Sequence, residues 1–444
     1  MARPSTPKSL FIWMNGELVG EWSHHANHSQ QLAYADQWLG SPSARPLSLS
    51  MPLGPAGTVY RGSLVERYFE NLLPDSKAIR QRLRQRFATK SDKAFDLLAE
   101  IGRDCVGAIR LTIENEAPKN VRKIEAEPVK NAAIAELLRN TTSATALGRD
   151  VYEDEFRISL AGAQEKTALL QMEERWFRPL GATPTTHILK LPIGEGNRGI
   201  DLTQSVENEW LCAQILTAYG IATAKCWMDR FEEQRVLVVE RFDRRLADNR
   251  RWIMRLPQED LAQATGTDRE QKYEADGGPG IEQIMTLLLG SANSNSDRLD
   301  FFRTQILFWC LCALDGHAKN FSIFLAPQGR YYLTPRYDVL SAFPILGKKS
   351  GQLSPHRVKM AMAVPSEKRR HYNWETIVYR HWQYLAKRCG IADQLQRLIA
   401  ELKDSTPAVI AKVESQLPKE FPASVADPIL KGLLASTQKL AATC

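Results

Sequence analysis

Residues 301–320 constrain this chain more tightly than any other stretch. An apolar run, Phe301-Phe302-Arg303-Thr304-Gln305-Ile306-Leu307-Phe308-Trp309-Cys310-Leu311-Cys312-Ala313-Leu314, has the texture of a buried helix and leads directly into Asp315-Gly316-His317-Ala318-Lys319-Asn320. An Asp followed five positions later by an Asn has the D-x-x-x-x-N spacing of a phosphoryl-transfer loop. There the carboxylate accepts the proton of the attacking hydroxyl, and the amide oxygen holds a metal on the phosphates. Beyond an expected hairpin, Tyr337-Asp338 supplies a second acidic oxygen. One or two carboxylates plus substrate phosphates are enough to hold Mg2+. Taken alone, the same residues also suit a helix end and a turn. The rest of the chain decides between these readings.

At 444 residues the chain exceeds the size at which one core keeps growing, so two or three domains are expected. A composition 43% hydrophobic and 25% charged is that of a soluble globular protein. No run of 18 apolar residues exists, so no membrane span or membrane partner is expected. The apolar stretch Ser9-Leu10-Phe11-Ile12-Trp13 is too short for the core of a signal peptide, and a cytoplasmic location is expected. Seven cysteines without a C-x-x-C pair point to reduced, buried thiols. His24, His25 and His28 have no Cys or carboxylate at metal-ligand spacing beside them. The net charge of +7 is unevenly spread: Lys77, Arg80, Arg82, Arg84, Arg86, Lys90 and Lys93 face a single acid, Asp92. Such a cluster suits either a solvated helix face or an electrostatic footprint for nucleic acid or an acidic partner.

Taken in order, residues 10–22 form a hairpin turned by Asn15-Gly16, the strongest short hairpin signal. A further strand over 47–53, helices over 64–73 and 77–93, and a helix and strand between 93 and 113 complete an α+β unit, 1–115. Residues 116–150 are charged and irregular, with one helix near 131–139, and are expected to be a connector. Strands are expected over 157–161 and 167–172, with Ala161-Gly162-Ala163-Gln164-Glu165-Lys166 at their junction. A glycine-centred loop between strands lets backbone N–H groups approach phosphates closely. It is not a Walker A loop, because a second Gly before the Lys and a following helix are missing. The apolar strand 186–191 carries Lys190, which is expensive to bury without a partner. A lysine there is placed to pair nucleotide phosphates and a helix carboxylate, for which Glu207 and Glu209 are candidates and Glu209 is preferred. The strand 235–239 ends at Glu240-Arg241-Phe242, where a hinge backbone would meet adenine. The expected organisation is a sheet-bearing lobe over 151–245 and a helical lobe over 246–444.

Several of these strings together resemble one family. Ile158-Ser159-Leu160-Ala161-Gly162-Ala163-Gln164-Glu165-Lys166-Thr167-Ala168-Leu169-Leu170 is similar to the signature of the HipA serine/threonine kinase toxins, and so is Thr186-His187-Ile188-Leu189-Lys190-Leu191-Pro192. Arg255-Leu256-Pro257-Gln258-Glu259-Asp260, Lys272-Tyr273-Glu274 with Asp276-Gly277-Gly278-Pro279-Gly280, the Asp315 loop, and Tyr337-Asp338 with Ser341-Ala342-Phe343-Pro344 match as well. The likeness runs from the first hairpin through Asn71-Leu72-Leu73-Pro74-Asp75-Ser76 to about residue 425. It implies an α+β, two-lobed protein-kinase-like fold with an extra N-terminal subdomain and an all-helical C-terminal lobe. It also implies a bacterial toxin that uses ATP and Mg2+ to phosphorylate a serine of a cytoplasmic protein, glutamyl-tRNA synthetase being a recognised family target, with growth arrest and antibiotic tolerance as the result. A HipB-type helix-turn-helix antitoxin dimer would bind the chain, and the complex would repress its own operator DNA.

Carried over by position, Asp315 is the catalytic base, Asn320 and Asp338 hold Mg2+, and Lys190 and the loop 161–166 contact phosphates. His317 and Lys319 lie near the nucleotide, and Glu240 and Phe242 flank the adenine. Ser159 is the autophosphorylation site, where nearly two added negative charges would eject a loop built to cradle phosphate. Arg80, Arg82, Arg84 and Arg86 become possible DNA contacts beside the antitoxin. The strings G-x-G-x-x-G, H-R-D and D-F-G of ordinary protein kinases are absent. A catalytically silent corepressor and a small-molecule kinase on the same scaffold remain alternatives, since fold does not fix the acceptor.

Overall fold

The structure, a computed structural model, describes residues 9–24, 29–142, 158–162, 164–195 and 199–442. Ala163, Arg157, His25, His28 and Cys444, to which expectations were attached, lie outside the described residues. The chain forms two compact units. One comprises Met1–Leu191, Asp229–Arg269 and Ile323–Arg330, and the other Pro192–Met228, Glu270–Ser322 and Tyr331–Cys444.

Among the described residues, two larger sheets lie mainly in the first unit, beside the short pair Arg244–Leu246 and Ile253–Arg255. Its N-terminal sheet is five-stranded and runs in the order Val59–Arg61, Gln30–Tyr34, Glu17–His24, Ser9–Met14, Ile109–Thr112. Asn15 (φ 49°) and Gly16 (φ 94°) turn the first hairpin, as a two-residue turn with both centres at positive φ requires. The helices Ser63–Glu70 and Ala94–Ile101 cover this sheet, and Trp22 stacks on Phe69 with centroids 3.6 Å apart. Around 47–53 the expected strand reduces to an isolated bridge between Ser48 and Met51. The second sheet is six-stranded, in the order Cys226–Phe231, Gln234–Glu240, His187–Lys190, Lys166–Met172, Arg175–Pro179, Ala126–Pro128. Residues 126–128, expected to belong to a connector, therefore form an edge strand, paired with Arg175–Pro179.

Two boundaries differ from the lobe division expected at 245/246. The helix Ser205–Ala218 belongs to the second unit. Its Asn208 exchanges two bonds with Ser341, each 2.8 Å, and its C-terminal neighbour Tyr219 bonds the Thr406 hydroxyl at 2.6 Å. Residues 246–269 belong to the first unit, where Gln263 Nε2 donates to the Tyr68 carbonyl at 3.1 Å and Ser50 Oγ donates to the Gln263 carbonyl at 2.9 Å.

The second unit is mainly helical, built on Ser294–Cys310, Tyr379–Arg388, Ala392–Gln416 and Ala423–Ala441. It also carries a hairpin, Lys359–Pro365 with Arg370–Asn373, so this lobe is predominantly rather than wholly helical. Proline normally ends or kinks a helix, yet Ala392–Gln416 runs through Pro407 as one helix. The buried stripe Leu395, Leu398, Ile399, Leu402, Val409 and Val413 stays in phase across it. Ser405 and Thr406 hydroxyls bond the Glu401 and Leu402 carbonyls, each at 2.6 Å. Packing of a continuous face outweighs the local cost of the ring.

In the first unit Glu259 is fully buried, and its Oε1 accepts from the Leu49 amide at 2.8 Å. Burial, opposed by the bonds to Ser48 and Leu49, pushes its carboxyl up to about 8 from 4.5. The folded state thus binds a proton that the unfolded chain has released above pH 4.5, so stability falls as pH rises from 4.5 to about 8. Glu259→Gln keeps the acceptor for Leu49 and removes the titration. The variant is expected to flatten the decline of Tm between pH 5 and 8, as read by thermal melts across that range.

Candidate functional site

The Asp315 loop is built by the way its helix ends. Ser294–Cys310 stops with Leu311 and Cys312 donating to the Leu307 and Trp309 carbonyls, and Cys312 turns the chain at φ 48°. The next residues fold back on themselves: the His317 amide donates to the Asp315 carbonyl at 2.8 Å and the Asn320 amide to the His317 carbonyl at 2.9 Å, closing a 3-10 turn at Ala318–Asn320. Gly316 passes over the Phe308 ring, where a Cβ would sit 2.5 Å from Cδ2. His317, Lys319 and Asn320 are buried, whereas the Asp315 side chain is 61% exposed. A rigid, buried turn thus presents a single open carboxylate.

That carboxylate is oriented. Tyr273 donates its hydroxyl to Asp315 Oδ1 at 2.5 Å, and His317 Nε2 lies 3.8 Å from the same oxygen. The Tyr273 and His317 rings meet edge to face at 5.1 Å. Asn320 Nδ2 donates to the Asp315 carbonyl at 2.7 Å, which leaves its Oδ1 as the amide atom able to take a cation. Asp338 is half-buried in the same unit and adopts a left-handed backbone (φ 60°), a conformation that Asp tolerates better than most residues and that tends to mark functional loops. Asn320 and Asp338 offer hard oxygen donors, which fits Mg2+. Among the described residues no group of three His, Cys, Asp or Glu side chains converges as a metal-ligand cluster. A cation bound by either oxygen donor would complete its shell with phosphate and water.

Apart from Glu207 and Glu209, the remaining candidate residues lie in the first unit. Lys166 and Lys190 are direct cross-strand partners, and Lys190 also faces Leu237. Lys190 is only 6% exposed, which rules out a solvent-facing lysine. Lys166 Nζ bonds the Ala161 carbonyl at 2.8 Å and lies where a Cβ on Gly162 would be, 2.4 Å away. Gly162 sits at φ 110°, a backbone conformation that favours glycine, and a Cβ there would also oblige the flexible Lys166 side chain to move. Ile158 forms an isolated bridge to Asp104 rather than part of a strand. Ser159 is 1% exposed, its amide bonded to the Asp104 carbonyl at 3.0 Å and its Oγ to the Leu72 carbonyl at 2.9 Å. At the end of Gln234–Glu240, Arg241 donates its amide to the Thr186 carbonyl at 2.8 Å, and the Phe242 ring meets Phe324 edge to face at 5.8 Å. Glu207 and Glu209, both buried on Ser205–Ala218, belong to the other unit, and burial does not distinguish them.

Arg80 is a correction. It is 1% exposed, with Nε on the Pro74 carbonyl at 2.6 Å and the guanidinium on the Glu70 carboxylate at 2.5 Å, so it offers no surface to DNA. Arg82 is paired with Glu165. Arg84 and Arg86 are exposed at the C-terminal end of the helix Lys77–Arg86. Sequence reasoning gave Tyr273 no role, because a partner 42 residues from Asp315 leaves no spacing to read. Glu274 was missed for the same reason: its Oε2 accepts from the Ala363 amide at 2.6 Å, tying the hairpin 359–373 to the segment beside Tyr273.

Comparison with known proteins follows the same outline. The HipA N-terminal domain family matches residues 10–112, and the HipA-like C-terminal domain family matches residues 158–410. Y4mE of Sinorhizobium fredii, whose name places it provisionally among the kinases, is 30% identical over 418 residues, 92% of each chain. The serine/threonine-protein kinase toxin HipA of Shewanella oneidensis is 27% identical over 353 residues, 76% of each chain. A solved complex of Shewanella oneidensis HipA, HipB and operator DNA contains a chain that superposes with a TM-score of 0.78 at 23% identity, covering 98% of this chain and 97% of that one.

Gly316→Ala would force its Cβ against the Phe308 ring. Overpacking of this kind is expected to cost about 1–3 kcal/mol and to displace Asp315. Thermal melts should show the loss of stability, and an unchanged Tm would contradict the contact.

Proposed function

Because the chain belongs to the HipA family, we propose that it is a toxin kinase, transferring the γ-phosphate of ATP to a serine or threonine hydroxyl of a cytoplasmic protein with Mg2+ as cofactor. The observation that carries this reading is the exposed Asp315 carboxylate, held by Tyr273 on an otherwise buried turn. In this role Asp315 accepts the proton of the attacking hydroxyl as its oxygen bonds the γ-phosphorus and the bond from that phosphorus to the bridging oxygen of ADP breaks. Tyr273 fixes the carboxylate rotamer, and Asn320 and Asp338 hold the cation, which neutralises charge on the phosphates. Lys190, buried in its strand, and the backbone of 161–166 bind phosphate, with His317 and Lys319 beside the nucleotide. Glu240 and Phe242 border the adenine, and Glu209 is the preferred carboxylate partner of Lys190.

A HipB-type antitoxin dimer and operator DNA are the proposed partners, supported by the relative solved in such a complex. Arg84 and Arg86 remain the arginines of the basic helix open to phosphate. Growth arrest with tolerance to antibiotics is the proposed outcome, with glutamyl-tRNA synthetase as the type of target. Autophosphorylation is assigned to Ser159. In the present state its hydroxyl is buried against Leu72, so phosphorylation requires the loop to leave that contact.

Expression without antitoxin provides the test. Wild-type protein should arrest growth, and Asp315→Asn, folded as judged by an unchanged melting profile, should not, because loss of a general base lowers phosphoryl transfer by about 10²–10⁴-fold. Arrest that persists undiminished in the variant would refute catalysis as its cause.

A further inference from the structure

The glycine loop is held from outside the sheet that carries it. The Asp75 amide donates to the Gly162 carbonyl at 3.0 Å, and Pro74 and Gly162 form an isolated parallel bridge. Ser159 Oγ reaches the Leu72 carbonyl, so residues 72–75 grip the loop at two points. A third grip comes from a side chain: Arg82, on the helix Lys77–Arg86, pairs with the Glu165 carboxylate, the two side chains being 24% and 25% exposed. Glu165 is also fixed through its main chain, its carbonyl accepting from the Leu191 amide at 3.1 Å, while Gln164 Nε2 donates to the Leu191 carbonyl. The helix that presents Arg82 is anchored. Ser76 caps its first turn, and buried Arg80 bonds the Pro74 carbonyl at 2.6 Å and the Glu70 carbonyl at 3.0 Å.

We infer that Arg82 is a positioning residue for the glycine loop at residues 159–162 and 164–166. By clasping Glu165 it keeps the Gly162 carbonyl on the Asp75 amide and the loop backbone in the conformation that binds phosphate. The basic helix therefore has a task inside the protein as well as a charged outer end. The inference rests on the reading of this loop as a nucleotide phosphate loop, and it adds the residue that sets its rest position. A partly exposed ion pair is weak enough to bias a loop without locking it.

The test uses the full chain and two readouts: hydrogen exchange at the Asp75 amide without nucleotide, and KM and kcat for ATP. Arg82→Ala is expected to speed Asp75 exchange and raise KM by about three- to fivefold, with kcat within about twofold of wild type. Arg82→Lys should restore most of both. Unchanged Asp75 exchange in Arg82→Ala would overturn the inference. So would an Arg82→Lys protein that recovers exchange while KM stays at the alanine value, since the guanidinium would then be touching phosphate itself. If wild-type protein transfers no phosphate, the kinase reading fails, and the Asp75 exchange ratio still decides whether Arg82 holds the loop.

Discussion

The first unit depends on one buried carboxylate. Asp104 Oδ1 accepts from Arg255 at 2.6 Å and Arg244 at 2.9 Å, while Oδ2 accepts from the Thr185 amide and hydroxyl at 3.0 and 2.7 Å. Arg241 stands 3.4 Å away and is held by Asp243, whose own Oδ2 takes the Gly107 amide at 2.7 Å. Burial would raise the Asp104 carboxyl, but Arg255, Arg244 and Arg241 together hold it well below the usual carboxylate range. A network of this kind contributes little net energy against an apolar core, yet removing one member strands a buried charge at a cost of about 3–5 kcal/mol. Its value is geometric. It fixes the chain just after the Gln234–Glu240 strand, the segment before Gly107 and the Asp104 carbonyl that receives Ser159, and so places residues 241–244 and the glycine loop relative to the N-terminal sheet.

Much of this was legible in the residues. The Asn15-Gly16 turn, the strand bearing Lys190 and the loop from Asp315 to Asn320 all follow from local rules, because turn type, alternation and helix termination are set by neighbours in sequence. The reach of each feature was not legible. Asn15 does more than turn a hairpin: its side chain takes the Arg255 amide at 3.0 Å and gives to the Arg255 carbonyl at 2.9 Å, across 240 residues. Asp104 and Tyr273 acquire their roles only from partners far along the chain, and no periodicity encodes such pairings. Arg80 shows the converse error. In a run of basic residues nothing local marks the one that is buried, since the deciding partner, Glu70, lies on the preceding helix. Pro407 shows a local signal overridden, where a continuous apolar face carries the helix through a residue that normally ends one.

The chemistry divides between the units in the same way. In the proposed reading, one supplies the Asp315 carboxylate and the Asn320 amide on a turn stiffened by buried His317, with Asp338 on a separate segment. The other supplies a glycine loop and a buried lysine on paired strands. The measurement that tests the central claim most directly is the intact mass of purified protein after incubation with Mg2+ and ATP, taken beside Asp315→Gln. The account predicts a gain of one phosphate, at Ser159, in the wild type alone. No gain in the wild type, or an equal gain in the variant, would contradict it.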